Sequence, residues 1–360
     1  MASPINIFSG SGAGMPGTAP CRDKQLPVTK TVSRQGYPLR VATHKLATLR
    51  GRCIKPLKKL RIKRRAYSIR KVMAKRTEKL TIKLQMKLPH KACSKLFGKI
   101  ADCTNRPIKN WLIRKFVWMH KINLQEAVKK KAADYKCFNE FFTRKLEKGA
   151  RTIASEGKVA SPVDGTISAI GEIKDGQLIQ AKGRSYTVQE LLGGDEQLAR
   201  AFMGGSYANI YLSPGDYHRF HMPAVGTLKK TIHIPGKLFS VSPKASRNID
   251  RLFARNERLV CIFETAQGPM AMIMVGAINV SSIETDWAGG VIKPRKKDGP
   301  CVTNFDTENK EYKTGDDLGA FRIGSTVICL FGQDKVGWLE SLGSGQKVRM
   351  GQEIGSLLTP

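Results

Sequence analysis

Residues 260–275 read VCIFETAQGPMAMIMV, and this stretch decides the fold class. Two short apolar runs, 260–263 and 270–275, stand on either side of a Gly-Pro break at 268–269. Short β-rich runs separated by glycine and proline are typical of neighbouring strands. The stretch therefore predicts a strand-rich fold.

The same pattern extends over the C-terminal part of the chain. From about residue 155 the hydrophobic period is two, and further β-rich runs occur at 166–170, 208–212 and 326–331. Only a short segment near residues 188–202 has a helical pattern. We expect an α+β protein whose C-terminal domain is a compact, β-rich sandwich or barrel of roughly 200 residues.

The N-terminal part is strongly basic. The net charge is +33 over 360 residues, and residues 1–90 hold 22 Lys and Arg against two acids. Residues 1 to about 50 are rich in Gly, Pro, Ser and Thr without a helical or strand period, which predicts disorder, and a dense basic run follows at 55–76. The sequence leaves four interpretations of this segment open: a transit peptide, a lipid-binding arm, a solvated tail, or a start codon placed upstream of a true start near Met73.

Residues 80–130 change character. Leu112, Phe116 and Met119 recur at helical spacing, and aromatic and basic residues stand among them. This mixture suits an amphipathic helix at a membrane surface, with rings at the depth of the headgroups. A helix packed on the protein's own core gives the same pattern.

Composition bounds the function classes. Eight cysteines show no CxxC pair and no regular spacing, which disfavours a zinc ribbon or a disulfide framework. No stretch approaches 18 uninterrupted apolar residues, so a spanning helix is not expected. A nucleic-acid-binding protein would carry its basic and aromatic residues on the folded domain, whereas here the charge concentrates in the arm, so no nucleic-acid partner is expected.

Three segments carry candidate chemistry. SPVDG at 161–165 contains Asp164, although Asp-Gly between apolar runs also predicts a hairpin turn. DYHRFHMP at 216–223 holds His218 and His221, which suit acid–base catalysis, structural hydrogen bonds or, together with Asp164 and His233, a metal site. FRIGSTVI at 321–328 reads by itself as a turn before a strand.

Taken together, these segments resemble the phosphatidylserine decarboxylase family of pyruvoyl-dependent enzymes, bacterial and mitochondrial type. The similarity runs from about residue 80 to 352 and has no counterpart in the first 70 residues. Its motifs, in order, are FNEFFTR at 138–144, SPVDGTI at 161–167, LSPGDYHRFHMP at 212–223, LFARNER at 252–258, VGA through SIET at 275–285, WAG at 287–289 and GST at 324–326.

The resemblance implies that the chain cuts itself between Gly324 and Ser325. His221 would be the base that activates the Ser325 hydroxyl, and Asp164 would orient and stabilise the imidazolium. Ser325 would attack the Gly324 carbonyl, and elimination would convert residue 325 into a covalent pyruvoyl group. The pyruvoyl ketone would form a Schiff base with the substrate's amine and accept electrons as CO2 leaves, with His218 as the candidate proton donor. No metal is expected.

The resemblance also implies an organisation and partners. We expect a disordered polybasic extension at 1–79, a helical membrane-docking region at 80–134 and a β-rich decarboxylase domain at 135–360. The substrate would be phosphatidylserine in an anionic membrane surface and the product phosphatidylethanolamine. The β and α chains left by the cut would stay associated, and the protein would form a homodimer. The location would be peripheral, on the cytoplasmic side of a bacterial cell membrane, with the mitochondrial inner membrane as the alternative.

Overall fold

The computed structural model describes residues 77, 98–181, 183–277, 283–288, 290–292, 299–305, 307–322 and 325–358. The expected disorder of the polybasic extension therefore falls outside the described residues, except for Thr77. Gly324, on one side of the expected cut, lies outside them as well, whereas Ser325 lies within.

The helical part before the sheets is built around α1 (Arg106–His120) and α2 (Phe138–Phe142), with 3-10 turns at Leu124–Glu126 and Ala132–Asp134. The side chain of Asn105 caps α1 by accepting a hydrogen bond from the Ile108 amide, and Pro107 stands in the first turn. The helix ends where Lys121 adopts a left-handed conformation, with φ at 52°.

The two faces of α1 have different surroundings. Ile113 is fully buried, and Phe116 packs edge-on against Phe138 of α2, with ring centroids 5.1 Å apart. On the opposite side, Trp111 and Trp118 are 61% and 79% exposed. One face of the helix therefore packs on the protein's own core, and the other leaves aromatic side chains exposed. Within the described residues, no helix has the length and apolar character needed to cross a membrane.

Short strands and a few one-turn helices make up the rest of the described chain. The strands are β1 (Lys158–Ala160), β2 (Gly165–Glu172), β3 (Gln177–Ala181), β4 (Arg184–Thr187), β5 (Ser206–Leu212), β6 (Arg219–His221), β7 (Gly226–Ile234), β8 (Arg258–Thr265), β9 (Gly268–Val275), β10 (Ile283–Thr285), β11 (Gly290–Ile292), β12 (Cys301–Asn304), β13 (Glu311–Tyr312), β14 (Asp317–Phe321), β15 (Ser325–Phe331), β16 (Val336–Trp338), β17 (Lys347–Val348) and β18 (Glu353–Leu357). The helices are α3 (Val188–Leu191), α4 (Glu196–Arg200), α5 (Pro243–Ser246) and α6 (Leu252–Arg255).

A large antiparallel sheet forms the centre of the fold. Its order in the described residues is β12-β7-β8-β9-β15-β5-β2-β17, with β13 also paired to β7. Side chains alternate between its two faces, and both faces are covered. On one face Ile328 and Leu330 join a core with α3 to α6, β3 and β4; on the other, Val327 and Cys329 join a core with β1, β6, β14, β16 and β18. Burial on both sides explains why β8, β9 and β15 read as continuous apolar runs.

Two smaller sheets lie on the second face, in the orders β11-β10-β14-β6 and β1-β18-β16, and β3 pairs with β4. The β-rich α+β class is thus confirmed, as an open sandwich rather than a closed barrel. The hairpin interpretation of Asp164-Gly165 is wrong, because β1 pairs with β18 while β2 pairs with β5 and β17. Gly165 is needed for a close approach between strands, since a Cβ there would stand 2.6 Å from the Tyr211 carbonyl oxygen.

Candidate active site

The three predicted motifs meet at one end of the central sheet. Ser325 begins β15 and pairs with Leu212 at the end of β5, so the loop that carries His218 and His221 starts beside it. The amide of His221 donates to the Pro162 carbonyl at 2.9 Å, which holds β6 against the segment that ends in Asp164. The amide of Phe321 donates to the His218 carbonyl at 2.9 Å, joining the same loop to the strand before Ser325.

Ser325 is fully buried, and no described residue accepts or donates a hydrogen bond at its hydroxyl. Because side chains alternate along β15, Ser325 faces the same core as Val327, the layer that contains β6 and β14. Buried hydroxyls normally have a partner, so an unpartnered one calls for an explanation, and a role in chemistry is one such explanation. Serine next to glycine gives no such signal in the sequence.

His221 is buried, and both of its ring nitrogens are engaged. Nδ1 lies 2.9 Å from the Gly315 carbonyl oxygen, which can only accept, so Nδ1 carries the proton. Nε2 therefore accepts from the Tyr217 hydroxyl, 3.0 Å away. Burial lowers the pKa of His221, although the carboxylates of Asp317 and Asp164 act against it. The ring is thus neutral, with its basic nitrogen covered by a phenol.

Asp164 is held by other partners. Its carboxylate receives a forked pair from Arg151, with Nη2–Oδ2 at 2.6 Å and Nε–Oδ1 at 3.2 Å. The Met350 amide adds a third bond to Oδ1 at 2.7 Å. Among the described residues no hydrogen bond joins Asp164 to His221. Asp164 acts on His221 in this structure through its charge.

His218 is the more enclosed of the two histidines. It has no exposed surface, its ring packs on Phe142 with centroids 4.1 Å apart, and Nδ1 bonds to the Asp216 carbonyl oxygen at 2.8 Å. Nε2 is buried and has no partner among the described residues. Burial lowers the pKa of His218 to about 3, so the ring is neutral at pH 7 with a free lone pair on Nε2.

Several residues at this site escaped the sequence analysis. Arg151 clamps Asp164 from a loop without a motif, and the pairing is visible only once β2 is placed. Tyr217 stands inside the quoted 216–223 segment, where its position beside His218 was the available signal. Arg219 forms an ion pair with Asp317 at 2.7 Å and so brings a further charge pair to His221.

A metal centre does not assemble from the candidates. In the described part of the chain no group of three or more His, Cys, Asp and Glu side chains could hold a metal ion. His233 is the possible extra ligand, but its Nε2 lies 3.3 Å from Oε1 of Glu257. It stands on β7, which is separated from the serine strand β15 by β8 and β9.

A buried serine, two neutral histidines and a carboxylate bonded to Arg151 lie at one end of the sheet, and these groups suit acid–base chemistry. The family model described as phosphatidylserine decarboxylase matches residues 138–356, and a second, described as PSD, matches 80–121. The chain therefore belongs to the phosphatidylserine decarboxylase family.

Curated relatives agree over nearly their whole length. The chain is 46% identical over 283 residues to a phosphatidylserine decarboxylase proenzyme of Ectopseudomonas mendocina, covering 78% of this chain and 98% of that protein. It is 47% identical over 282 residues to the proenzyme of Pseudomonas fluorescens, covering 77% and 97%. A proenzyme of Bordetella petrii is 46% identical over 279 residues, covering 76% and 96%. The predicted family is thus confirmed.

Proposed function

We propose that this protein decarboxylates phosphatidylserine to phosphatidylethanolamine with a pyruvoyl group that it makes from its own Ser325. The observation that carries the proposal is the fully buried, unpartnered hydroxyl of Ser325 on the sheet face covered by the strand of His221. A serine hydroxyl is the group from which a pyruvoyl ketone can be made. Proenzyme relatives support the self-processing part.

The first reaction uses only groups of the chain and one water. His221 takes the Ser325 proton on Nε2 as the oxygen bonds to the Gly324 carbonyl carbon. The peptide C–N bond breaks, the nitrogen of residue 325 receives the proton, and an ester remains. Loss of the Cα proton then expels the Gly324 carboxylate, leaving dehydroalanine. Tautomerisation and hydrolysis by water release ammonia and leave the ketone.

In this scheme the hydrogen bond from Tyr217 to His221 must break before His221 can accept the serine proton. The Tyr217 hydroxyl covers the nitrogen that takes the serine proton, and burial raises the pKa of Tyr217, so the phenol keeps its proton. A neutral His221 is the form that can accept a proton. The negative charge of Asp164, fixed by Arg151 and Met350, then stabilises the imidazolium that forms.

A pyruvoyl group at residue 325 would supply a ketone that can form a Schiff base with the substrate's amine and accept the electron pair left behind as CO2 departs. The residue assigned to proton transfer at the substrate is His218. Its Nε2 has no partner in the described residues and would be the position from which Cα receives its proton after CO2 has left. The ring of Phe142 and the bond to Asp216 fix its orientation.

The two chains left by the cut are expected to stay together. β15 is an inner strand of the central sheet, and all seven of its residues pair with β5 while six pair with β9. Every residue of the strand is buried. A break before its first residue removes none of this pairing.

Attachment to a membrane is supported by the exposed stripe of α1. Ile108, Trp111, Lys115, Trp118 and Met119 share one side of the helix, and Lys115 stands 4.9 Å from the centre of the Trp111 ring. Aromatic rings and a cation together suit the headgroup layer of an anionic bilayer. The polybasic extension would add electrostatic attraction, whereas the homodimer and the bacterial or mitochondrial membrane remain predictions from the resemblance.

The decisive experiment is an intact mass of the purified protein. It should show residues 1–324 and a 36-residue chain, 325–360, with a pyruvoyl N-terminus that resists Edman degradation. Ser325→Ala should remain a single, inactive chain. Ser206→Ala is the matched control, because Ser206 is a buried serine at the other end of the same strand pair, and it should be cut normally. An uncut but active Ser325→Ala protein would overturn the proposal.

A further inference from the structure

Arg144 is a buried cation with few partners among the described residues. It is 6% exposed, and its Nε is fully buried without a hydrogen bond. The ring of Phe141 lies 5.5 Å from its guanidinium carbon. Burial lowers the pKa of Arg144, and the charge of Asp164 acts against this without outweighing it. A buried guanidinium that makes no ion pair in the described residues calls for an explanation.

The other buried arginines show what is missing. Arg151 bonds to Glu126 and Asp164, and Arg258 donates to four backbone carbonyl oxygens. Arg219 is paired with Asp317. Arg144 alone among these four lacks an acceptor in the described residues.

Arg144 lines a pocket of about 520 Å³ that also reaches Asp164 and Tyr217. His120, the last residue of α1, and Lys121 line the same pocket. Lysine and arginine outnumber carboxylates in the lining by five to three, and two of the three carboxylates are already paired with Arg151. The pocket therefore favours an anion beside Arg144.

Arg144 is also close to the proposed proton-transfer histidine. It follows Phe142 by two residues, and the ring of Phe142 packs on His218. The charge of Arg144 further acts, after burial, to lower the pKa of His218. These two facts place the charge of Arg144 near His218, which has no exposed surface and adjoins the pocket through Tyr217.

We propose that Arg144 binds the phosphodiester of the phospholipid headgroup and so fixes the serine moiety beside His218. This assignment rests on the proposed function. The substrate's carboxylate is the alternative anion, but a cation there would stabilise a charge that the reaction removes and would slow the loss of CO2. The phosphodiester keeps its charge throughout, so an arginine on it anchors substrate and product alike.

The test compares Arg144→Gln, Arg144→Lys and the exposed control Arg200→Gln, which lies on α4 and is 73% exposed in its side chain. Self-cleavage into two chains reports first on folding and on the proposed function. Binding is then measured by calorimetry with two ligands. Glycerophosphoethanolamine has the phosphodiester and no carboxylate, whereas free serine has a carboxylate and no phosphodiester.

Arg144→Gln should be cut normally and bind glycerophosphoethanolamine about tenfold to a hundredfold more weakly, since one charged bidentate contact is lost. The affinity of Arg144→Lys for this ligand should lie between that of the wild type and that of Arg144→Gln. The affinity of Arg200→Gln should equal that of the wild type. Unchanged affinity for glycerophosphoethanolamine in Arg144→Gln would overturn the inference, as would a loss confined to serine. Absence of self-cleavage in the wild type would instead refute the proposed function, while the binding measurement would still decide on Arg144.

Discussion

The Tyr217 hydroxyl donates to Nε2 of His221 over 3.0 Å, while the carbonyl of Gly315 holds Nδ1 at 2.9 Å. The base proposed to activate Ser325 is therefore stored as a neutral ring whose reactive nitrogen is occupied. A hydrogen bond to the neutral form makes a base weaker. Tyr217 thereby becomes a control point for maturation.

Tyr217→Phe should speed up self-cleavage, because it uncovers Nε2 without changing the Gly315 contact. About 1 kcal/mol of hydrogen bonding corresponds to roughly a fivefold increase in rate. The measurement is the rate at which freshly synthesised precursor is converted into two chains on a denaturing gel. Slower cleavage in Tyr217→Phe would mean that the phenol positions His221 or supplies a proton.

Asp164→Asn should slow self-cleavage by about a hundredfold or more, because the charge that stabilises the His221 imidazolium is lost. The change also leaves Glu126 as the one described carboxylate that pairs with Arg151. Glu126→Gln separates the two effects, since it removes the other carboxylate of Arg151 and leaves Asp164 in place. Cleavage should persist in Glu126→Gln; equal loss in both variants would assign the effect to Arg151.

Acidification should destabilise the uncut Ser325→Ala precursor through His218. The pKa of His218 is about 3 in the folded chain and about 6.5 when solvated, so below pH 6.5 the unfolded state binds the extra proton first. Stability is therefore lost as the pH falls from 6.5 towards 3. In denaturant titrations between pH 7 and pH 5, a Ser325→Ala, His218→Gln protein should lose about 2 kcal/mol less than Ser325→Ala. Parallel losses would place His218 in contact with solvent.

Replacing Trp111 and Trp118 by Ala should weaken binding to vesicles that contain phosphatidylserine. Each ring that leaves the headgroup layer costs about 1.5 kcal/mol or more, so the double variant should bind at least about a hundredfold more weakly in a flotation assay. Ile179→Ala is the control, because Ile179 is an apolar side chain on β3 that is 58% exposed and distant in sequence from α1. Equal vesicle binding by all three proteins would show that α1 does not dock.

The sequence was sufficient for the family and for five strands of the central sheet, β2, β5, β8, β9 and β15, because burial on both sheet faces leaves apolar runs such as 270–275 that only the turns interrupt. The pairing of β15 with β5 and β9 was out of reach, since local patterns do not encode which distant strands become neighbours. The hairpin predicted at Asp164-Gly165 is wrong for that reason. Asp-Gly is a local turn signal, but β2 pairs with β5 and β17 and not with β1.

The candidate site was predictable where a motif carried it and not where the partner came from outside. His218, His221, Asp164 and Ser325 stand in quoted segments. Arg151 does not, and its bond to Asp164 depends on the path of the chain before β1. The unpartnered state of Arg144 is a property of three-dimensional burial, which the FNEFFTR segment alone cannot express.

Because β15 is an inner strand, the precursor and the cut protein should differ in their ability to refold. An intact chain can place this strand between β5 and β9 as a tethered segment, whereas after cleavage a short separate peptide would have to find the same slot by collision. Denaturation of the cut enzyme should therefore be irreversible at low concentration, even where the uncut precursor refolds. Only the precursor would then reach the native fold, and the cleaved enzyme would have to retain that fold because it could not regain it.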